Sequence, residues 1–218
     1  MATACEGRRG PAGRTPEGAA PWRLRVLGSG TILATASRQP PGYALEDPCS
    51  GRVALLDPGP GTWARLPAAG LDPRRIDRVL VSHLHVDHHA DLLALLFARA
   101  NPEWRAAGLP ALSVLGPPGL SRVLAAWVGL YGDAVDDPGL LAGRLGPGPH
   151  DLGGLRVRSI PALHGAEALS LELVPPGRGR LVYTGDTGPN PALAEFAARA
   201  DMLLCECSFP DAAPRPGH

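Results

Sequence analysis

Ser82-His83-Leu84-His85-Val86-Asp87-His88-His89 follows directly on the apolar run Arg78-Val79-Leu80-Val81. That run, bounded by polar residues and rich in aliphatic side chains, reads as a buried strand over Arg78–Ser82. Four histidines and one aspartate then fall between His83 and His89. Side chains on an extended chain alternate with period two, so His83 and His85 leave it on the same side. Two imidazoles side by side at a strand end can share one metal ion. Asp87 and His88 lie at the turn into the next helix, displaced enough to reach a second ion. Imidazole and carboxylate without thiolate suit Zn²⁺ or another borderline divalent cation. A solvated histidine-rich turn is the competing reading, and it accounts poorly for this spacing after an apolar strand.

Outward from this segment, the chain reads as mixed strands and helices. Trp22–Leu27 alternates like a strand and ends at Gly28-Ser29-Gly30-Thr31, a tight turn that lines a cleft at most. Further strands are expected at Gly42–Leu45 and Arg52–Asp57, the second stopped by Pro58-Gly59-Pro60-Gly61 ahead of a short helix from Thr62. Beyond the histidines come a helix over Ala90–Ala100, a strand over Leu112–Leu115 and a helix over Leu120–Leu130. Residues 132–150, dense in glycine and proline, read as a long loop. Strands follow at Leu155–Ile160, Leu169–Val174 and Arg180–Tyr183, then a helix at Ala192–Ala200 and a strand at Met202–Cys207. On that last strand alternation puts Cys205 and Cys207 together as core filler and Glu206 on the opposite face. His89 and His150 read as residues outside any metal site. The absence of strict strand–helix alternation argues for α+β sheet layers rather than a doubly wound fold.

Length and composition bound the rest. A chain of 218 residues suits one domain, expected over 21–218, with residues 1–20 as a disordered lead-in. Twenty-one basic residues balance 21 acidic ones, and every basic residue is arginine. Lysine chemistry, such as a Schiff base or a P-loop, is thereby excluded, and a strongly basic nucleic-acid clamp is disfavoured. Cys5, Cys49, Cys205 and Cys207 form no disulfide framework in a chain of this length. The N-terminus lacks the apolar core of a signal peptide. The longest uncharged apolar run, Leu92–Ala98, falls far short of the ~20 residues that span a bilayer. These features point away from membranes and towards a reducing, cytoplasmic location.

The H-x-H-x-D-H pattern over His83–His88 resembles that of the metallo-β-lactamase-fold hydrolases, and within them the ribonuclease Z-like and small phosphodiesterase branch. The resemblance runs from about Arg23 to the C-terminus. Leu27-Gly28-Ser29-Gly30-Thr31 resembles the opening glycine-rich turn, and Leu55-Leu56-Asp57-Pro58-Gly59 the first motif. His164 matches the isolated metal-binding histidine, and Asp186 in Thr184-Gly185-Asp186-Thr187 the metal-bridging aspartate. Glu206 matches a glutamate at a strand end, and His218 the histidine paired with it.

The fold this implies is a four-layer αββα metallo-β-lactamase sandwich. The family pattern continues past Gly217-His218 to one more strand and a final histidine, so the domain is expected to be incomplete at its C-terminus and the second metal site one ligand short. The resemblance implies two divalent ions, Zn²⁺ foremost with Mn²⁺ as an alternative. His83, His85 and His164 would hold one, Asp87 and His88 the other, with Asp186 bridging. Asp57 would orient a metal ligand. Glu206 and His218 would assist the leaving oxygen. The reaction implied is hydrolysis of a phosphodiester by hydroxide generated between the two ions.

Two substrates compete: a small or cyclic phosphodiester such as a cyclic nucleotide, and the RNA 3′ end of precursor tRNA. Bacterial ribonuclease Z usually clamps tRNA with a long arm between the isolated histidine and the bridging aspartate. The 22-residue interval from His164 to Asp186 leaves no room for one. That favours the small diester. β-Lactam or thioester hydrolysis is disfavoured by the missing lysine and signal peptide. An inactive metal-binding fragment is a further alternative, and the resemblance makes a homodimer one assembly open to the chain.

Overall fold

In the computed structural model, residues 21–146 and 148–207 are described. The expectations for residues 1–20 and for His218 lie outside them. The N-terminal half builds one sheet from β1 (Arg23–Gly28), β2 (Gly42–Glu46), β3 (Val53–Leu56), β4 (Ile76–Leu80), β5 (Leu112–Gly116) and β6 (Leu140–Arg144), in that spatial order. β1, β2 and β3 pair antiparallel; β3 to β6 run parallel. The parallel crossovers carry α1 (Thr62–Ala68), α2 (Ala90–Arg99) with the short α3 (Pro102–Ala106), and α4 (Leu120–Tyr131). The C-terminal half builds a second sheet, ordered β11 (Met202–Leu204), β10 (Leu181–Tyr183), β9 (Leu169–Val174), β8 (Leu155–Pro161), β7 (His150–Leu152). α5 (Pro191–Ala197) packs on β8.

Two apolar layers hold this together. Between the sheets, Leu56, Leu80 and Leu115 meet Leu155, Val157, Leu171 and Leu173. Outside the first sheet, Leu55, Val79 and Val114 meet Leu66, Leu92, Leu96 and Leu120 from the helices. Burying a leucine side chain contributes about 1.5–3 kcal/mol, so truncating a fully enclosed one such as Leu171 should cost about 2–5 kcal/mol. Helix, two sheets and helix in succession form the expected αββα sandwich.

Several local expectations need correction. The stretch 132–150 contains a strand, β6, which extends the parallel ladder with Leu112 opposite Leu140 and Val114 opposite Ala142. Its apolar start, Leu140-Leu141-Ala142, is masked by the glycines and prolines around it, and as an edge strand it leaves most of its side chains exposed. β4 covers Ile76–Leu80, so the histidine segment lies beyond the ladder. β11 stops at Leu204, and Cys205 and Cys207 are exposed rather than core filler: they share one face with half-buried Glu206 on the other, as expected, but the cysteine face is the outer one.

This topology gathers the functional loops. Asp57 follows β3, His83–His89 follow β4, and Asp186 and Glu206 follow β10 and β11. The β8–β9 turn carries His164 to the same edge, where Leu169 N donates to Ser82 O at 3.0 Å across the two sheets. The carboxyl ends of parallel strands are where open α/β sheets bind ligands.

Candidate metal centre

The centre starts from Asp57, which is fully buried and has φ 45°. That left-handed backbone is uncommon for a residue with a side chain, and aspartate is among those that tolerate it. Its carboxylate accepts from Ser82 N (2.6 Å), Ser82 Oγ (2.5 Å), Tyr183 Oη (2.6 Å) and His88 Nδ1 (2.8 Å). Burial alone would raise this carboxyl, but the bonds from His88, Ser82 and Tyr183 outweigh it and hold it below its ordinary value.

These bonds settle the roles of two imidazoles. Ser82 Oγ has one proton and gives it to Asp57, so His83 Nδ1, 3.0 Å from that oxygen, donates to it. His83 Nε2 is left with its lone pair outward. His88 donates from Nδ1 to Asp57, which turns Nε2 towards Asp186 Oδ1 at 3.3 Å and Asp87 Oδ2 at 3.9 Å. A carboxylate behind a ligating histidine sets its tautomer and orientation in just this way.

In front of this wall, His83 Nε2 and His164 Nε2 stand 3.1 and 3.0 Å from His85 Nδ1, and 3.9 and 3.8 Å from Asp186 Oδ2. The four donor atoms lie within 4.8 Å of one another. Ligands about 2.0–2.1 Å from a tetrahedral ion stand roughly 3.3 Å apart, close to these separations. One proton on His85 Nδ1 cannot satisfy two facing ring nitrogens, whereas a shared cation satisfies all three. The donor set therefore fits a divalent metal ion.

Electrostatics point the same way. Burial, reinforced by the His88 charge, pushes the His83 pKa down to about 3 and keeps its lone pair available. Burial also works against a charged His88, yet hydrogen bonds to Asp186 and Asp57 overcome it and carry its pKa up to about 10. Burial would raise Asp186, but His88 outweighs it and brings the pKa to about 2. His89 stays outside the cluster: its Nε2 donates to Leu84 O (3.2 Å) and its ring lies against Trp127. His150 pairs with Gly146 O, away from the centre.

The remaining expected residue, Glu206, is half-buried, and its Oε1 accepts from Thr187 N at 2.5 Å. One of its oxygens thus holds the turn that carries Asp186. Ser82, Tyr183 and Thr187 are site residues to which sequence reasoning assigned no role. Tyr183 bonds Asp57 across 126 positions, a relation no local pattern encodes. A cleft of about 550 Å³ opens beside Asp186, walled by Ser29–Leu33 on one side and Leu204–Cys207 on the other.

A family model described as a β-lactamase superfamily domain matches residues 52–218. The chain belongs to the metallo-β-lactamase superfamily. An uncharacterized protein of Mycobacterium leprae is 34% identical over 198 residues, covering 89% of this chain and 68% of that protein. A ribonuclease Z of Mycobacterium marinum is 29% identical over 194 residues, covering 83% and 68% of the two chains. Among solved structures, the metallo-β-lactamase-fold protein YhfI from Bacillus subtilis superimposes with a TM-score of 0.73 at 21% identity, over 87% of this chain and 73% of its own. Membership in the metallo-β-lactamase superfamily indicates a hydrolase and implies divalent metal ions. Among the described residues no helix is long and apolar enough to cross a membrane.

Proposed function

We propose that the chain is a binuclear metal-dependent hydrolase of small or cyclic phosphodiesters. The observation that carries this reading is the convergence of His83, His85, His164 and Asp186 at the end of an open cleft. The first three and Asp186 would hold one ion; Asp87, His88 and the shared Asp186 would hold the other, with Zn²⁺ favoured over Mn²⁺ by the histidine content. When bound, two such ions would supply an acidified water and offset the charge of a phosphodiester. The protein's part is to keep His83 neutral by burial and set its tautomer through Ser82, to fix the His88 ring through Asp57, and to hold Asp186 between the two sets.

The small substrate is favoured by the interval from His164 to Asp186. It holds β9, β10 and a turn over 175–180, with no protruding arm. Balanced charge and the lack of lysine weaken the phosphate neutralisation that tRNA binding needs. Similarity to a ribonuclease Z supports tRNA 3′ processing as the second reading. The test is a panel on the Zn²⁺- or Mn²⁺-loaded protein: bis-p-nitrophenyl phosphate, 2′,3′- and 3′,5′-cyclic nucleotides, precursor tRNA and nitrocefin. A higher kcat/KM for a small diester than for precursor tRNA, abolished by chelation, is expected. The reverse ranking would establish the tRNA reading, and turnover of nitrocefin alone would overturn both.

A further inference from the structure

Neither the metal centre nor the proposed reaction uses the loop between β1 and β2, although it forms one wall of the cleft. Two closures fasten it. Gly30 N donates to Gln39 O at 2.7 Å, and at the tip Thr35 N donates to Arg38 O (2.8 Å) while Arg38 N donates to Thr35 Oγ1 (3.1 Å). Gln39 Nε2 adds a bond to Thr35 O at 3.0 Å. The glycines are what let the two arms meet. A Cβ at Gly28 would stand 2.0 Å from Pro40 O, and one at Gly30 would stand 3.0 Å from Gln39 O and 3.2 Å from the Arg38 Cβ. Gly30 N is spent on Gln39 O, so the first task of the Gly28-Ser29-Gly30 turn is structural. The turn is the seat against which the segment carrying Arg38 is pressed.

Arg38 is the only cationic residue among the described residues that line this cleft, whose lining also includes Asp186 and Glu206. Its guanidinium has no hydrogen-bond or ion-pair partner among the described residues. No ion pair within 4.0 Å joins it to Asp186 or Glu206 among the described residues, so neither carboxylate neutralises it. An arginine held on a fastened loop, with its donors unspent, is suited to a phosphate's oxygens. About 550 Å³ is room for a nucleotide-sized ligand.

We infer that Arg38 is a specificity-determining residue that binds a second phosphate group on the substrate, apart from the diester being cleaved. This rests on the phosphodiesterase reading and narrows it: among small diesters, those carrying an additional phosphomonoester are preferred. Arg38 touches no reacting atom, so its effect falls on KM more than on kcat.

Two esters that differ by one phosphate provide the test: thymidine 5′-(p-nitrophenyl phosphate) and its 3′-phosphorylated counterpart, with the metal-loaded full chain. The wild type is expected to favour the 3′-phosphorylated ester at least tenfold in kcat/KM, mainly through KM. In R38Q that ratio should fall close to one, and R38K should keep part of it. A wild type without the preference, or R38Q with the preference intact, would overturn the assignment. Calorimetric titration with thymidine 3′,5′-bisphosphate and thymidine 5′-phosphate separates this from the catalytic reading. If neither ester is hydrolysed while the bisphosphate binds tighter in an Arg38-dependent manner, the phosphate site stands and the hydrolytic reading fails. If the two ligands bind alike in wild type and R38Q, the phosphate site fails whatever the activity.

Discussion

Asp57 and Glu206 are both carboxylates just past the end of a strand, one on each sheet. Asp57 has no exposed surface and accepts from Ser82, His88 and Tyr183. Glu206 is half-buried at the rim of the cleft and accepts from Thr187 N. Position in the sheet explains the difference. β3 lies between β2 and β4, whereas β11 ends the order of its sheet among the described residues. A carboxylate that sets imidazole tautomers must be sheltered from water, which would compete for the same bonds. A carboxylate near substrate must be reachable. The centre thus has an over-determined back wall on the first sheet and a more open front on the second.

Asp186 joins the two regions: one oxygen is 3.3 Å from His88 Nε2 and the other 3.8 Å from His164 Nε2. Removing it should produce the largest effect. Asp186→Ala is expected to lower phosphodiesterase kcat/KM by more than about 100-fold, beyond the 10–100-fold typical of groups that only orient ligands. Elemental analysis after dialysis should show less metal bound. Wild-type activity in this variant would show that back and front do not need a shared carboxylate.

Asp57→Ala and Glu206→Gln test the contrast itself. The first strips partners from Ser82, Tyr183 and a charged His88 in a buried site, a loss that costs about 3–5 kcal/mol. Asp57→Asn keeps a residue that tolerates φ 45° and so separates loss of charge from backbone strain. Glu206→Gln keeps an oxygen for Thr187 N and should cost about 1 kcal/mol or less. Urea unfolding of the metal-free proteins measures both. Equal losses would mean that the rim is as over-determined as the wall.

The same contrast governs what was legible in the sequence. The back wall is local: His83, His85 and His88 fall within six residues of one another, and the extended segment alone puts His83 and His85 on one side. Asp57 came from the resemblance of Leu55–Gly59 to the family's first motif, since an aspartate at a strand end before Pro58 is common in itself. β9 was legible to the residue, because Leu169–Val174 is bounded and largely buried. The front depends on long-range packing. Nothing near Thr187 signals that its hydroxyl meets Leu163, and alternation through Cys205–Cys207 holds but does not tell which of the two faces is covered. β6 was hidden by the glycines and prolines around it. α3 had a signal that went unused, Asn101 before Pro102, where the Asn101 side chain accepts from Glu103 N.

Metal-free protein should show the back wall as a pH dependence of stability. Folding raises the His88 pKa from 6.5 to about 10, so its contribution is fully present below pH 6.5 and lost as pH rises through about 10. His83 has the opposite sign. Its pKa falls to about 3, so the unfolded chain takes up a proton that the folded one refuses, and stability declines as pH drops below 6.5. Chelated protein should therefore have its highest Tm near pH 6.5 and lose several degrees towards about pH 4 and about pH 9. A Tm rising steadily across that range would break the assignment of charge to His88.

The smallest expected effect concerns how the front is held together. Leu163 N donates to Thr187 Oγ1 at 3.0 Å, and Gly188 N donates to Leu163 O at 2.8 Å. These two bonds clamp the residue before His164 to the residues after Asp186. Thr187 Oγ1 passes its own proton to Gly188 O (3.0 Å), so the hydroxyl both accepts and donates across this clamp. Thr187→Val keeps the shape and the β-branching but leaves Leu163 N without its acceptor. It should cost about 1 kcal/mol of stability and loosen the spacing of the two ligands. Zn²⁺ affinity, read by competition with a chelating dye, should fall about tenfold, the low end for groups that orient ligands, and Thr187→Ser should restore most of it. If Thr187→Val binds Zn²⁺ as tightly as the wild type, the strand ends alone set the distance between His164 and Asp186, and the front is as firmly built as the wall behind it.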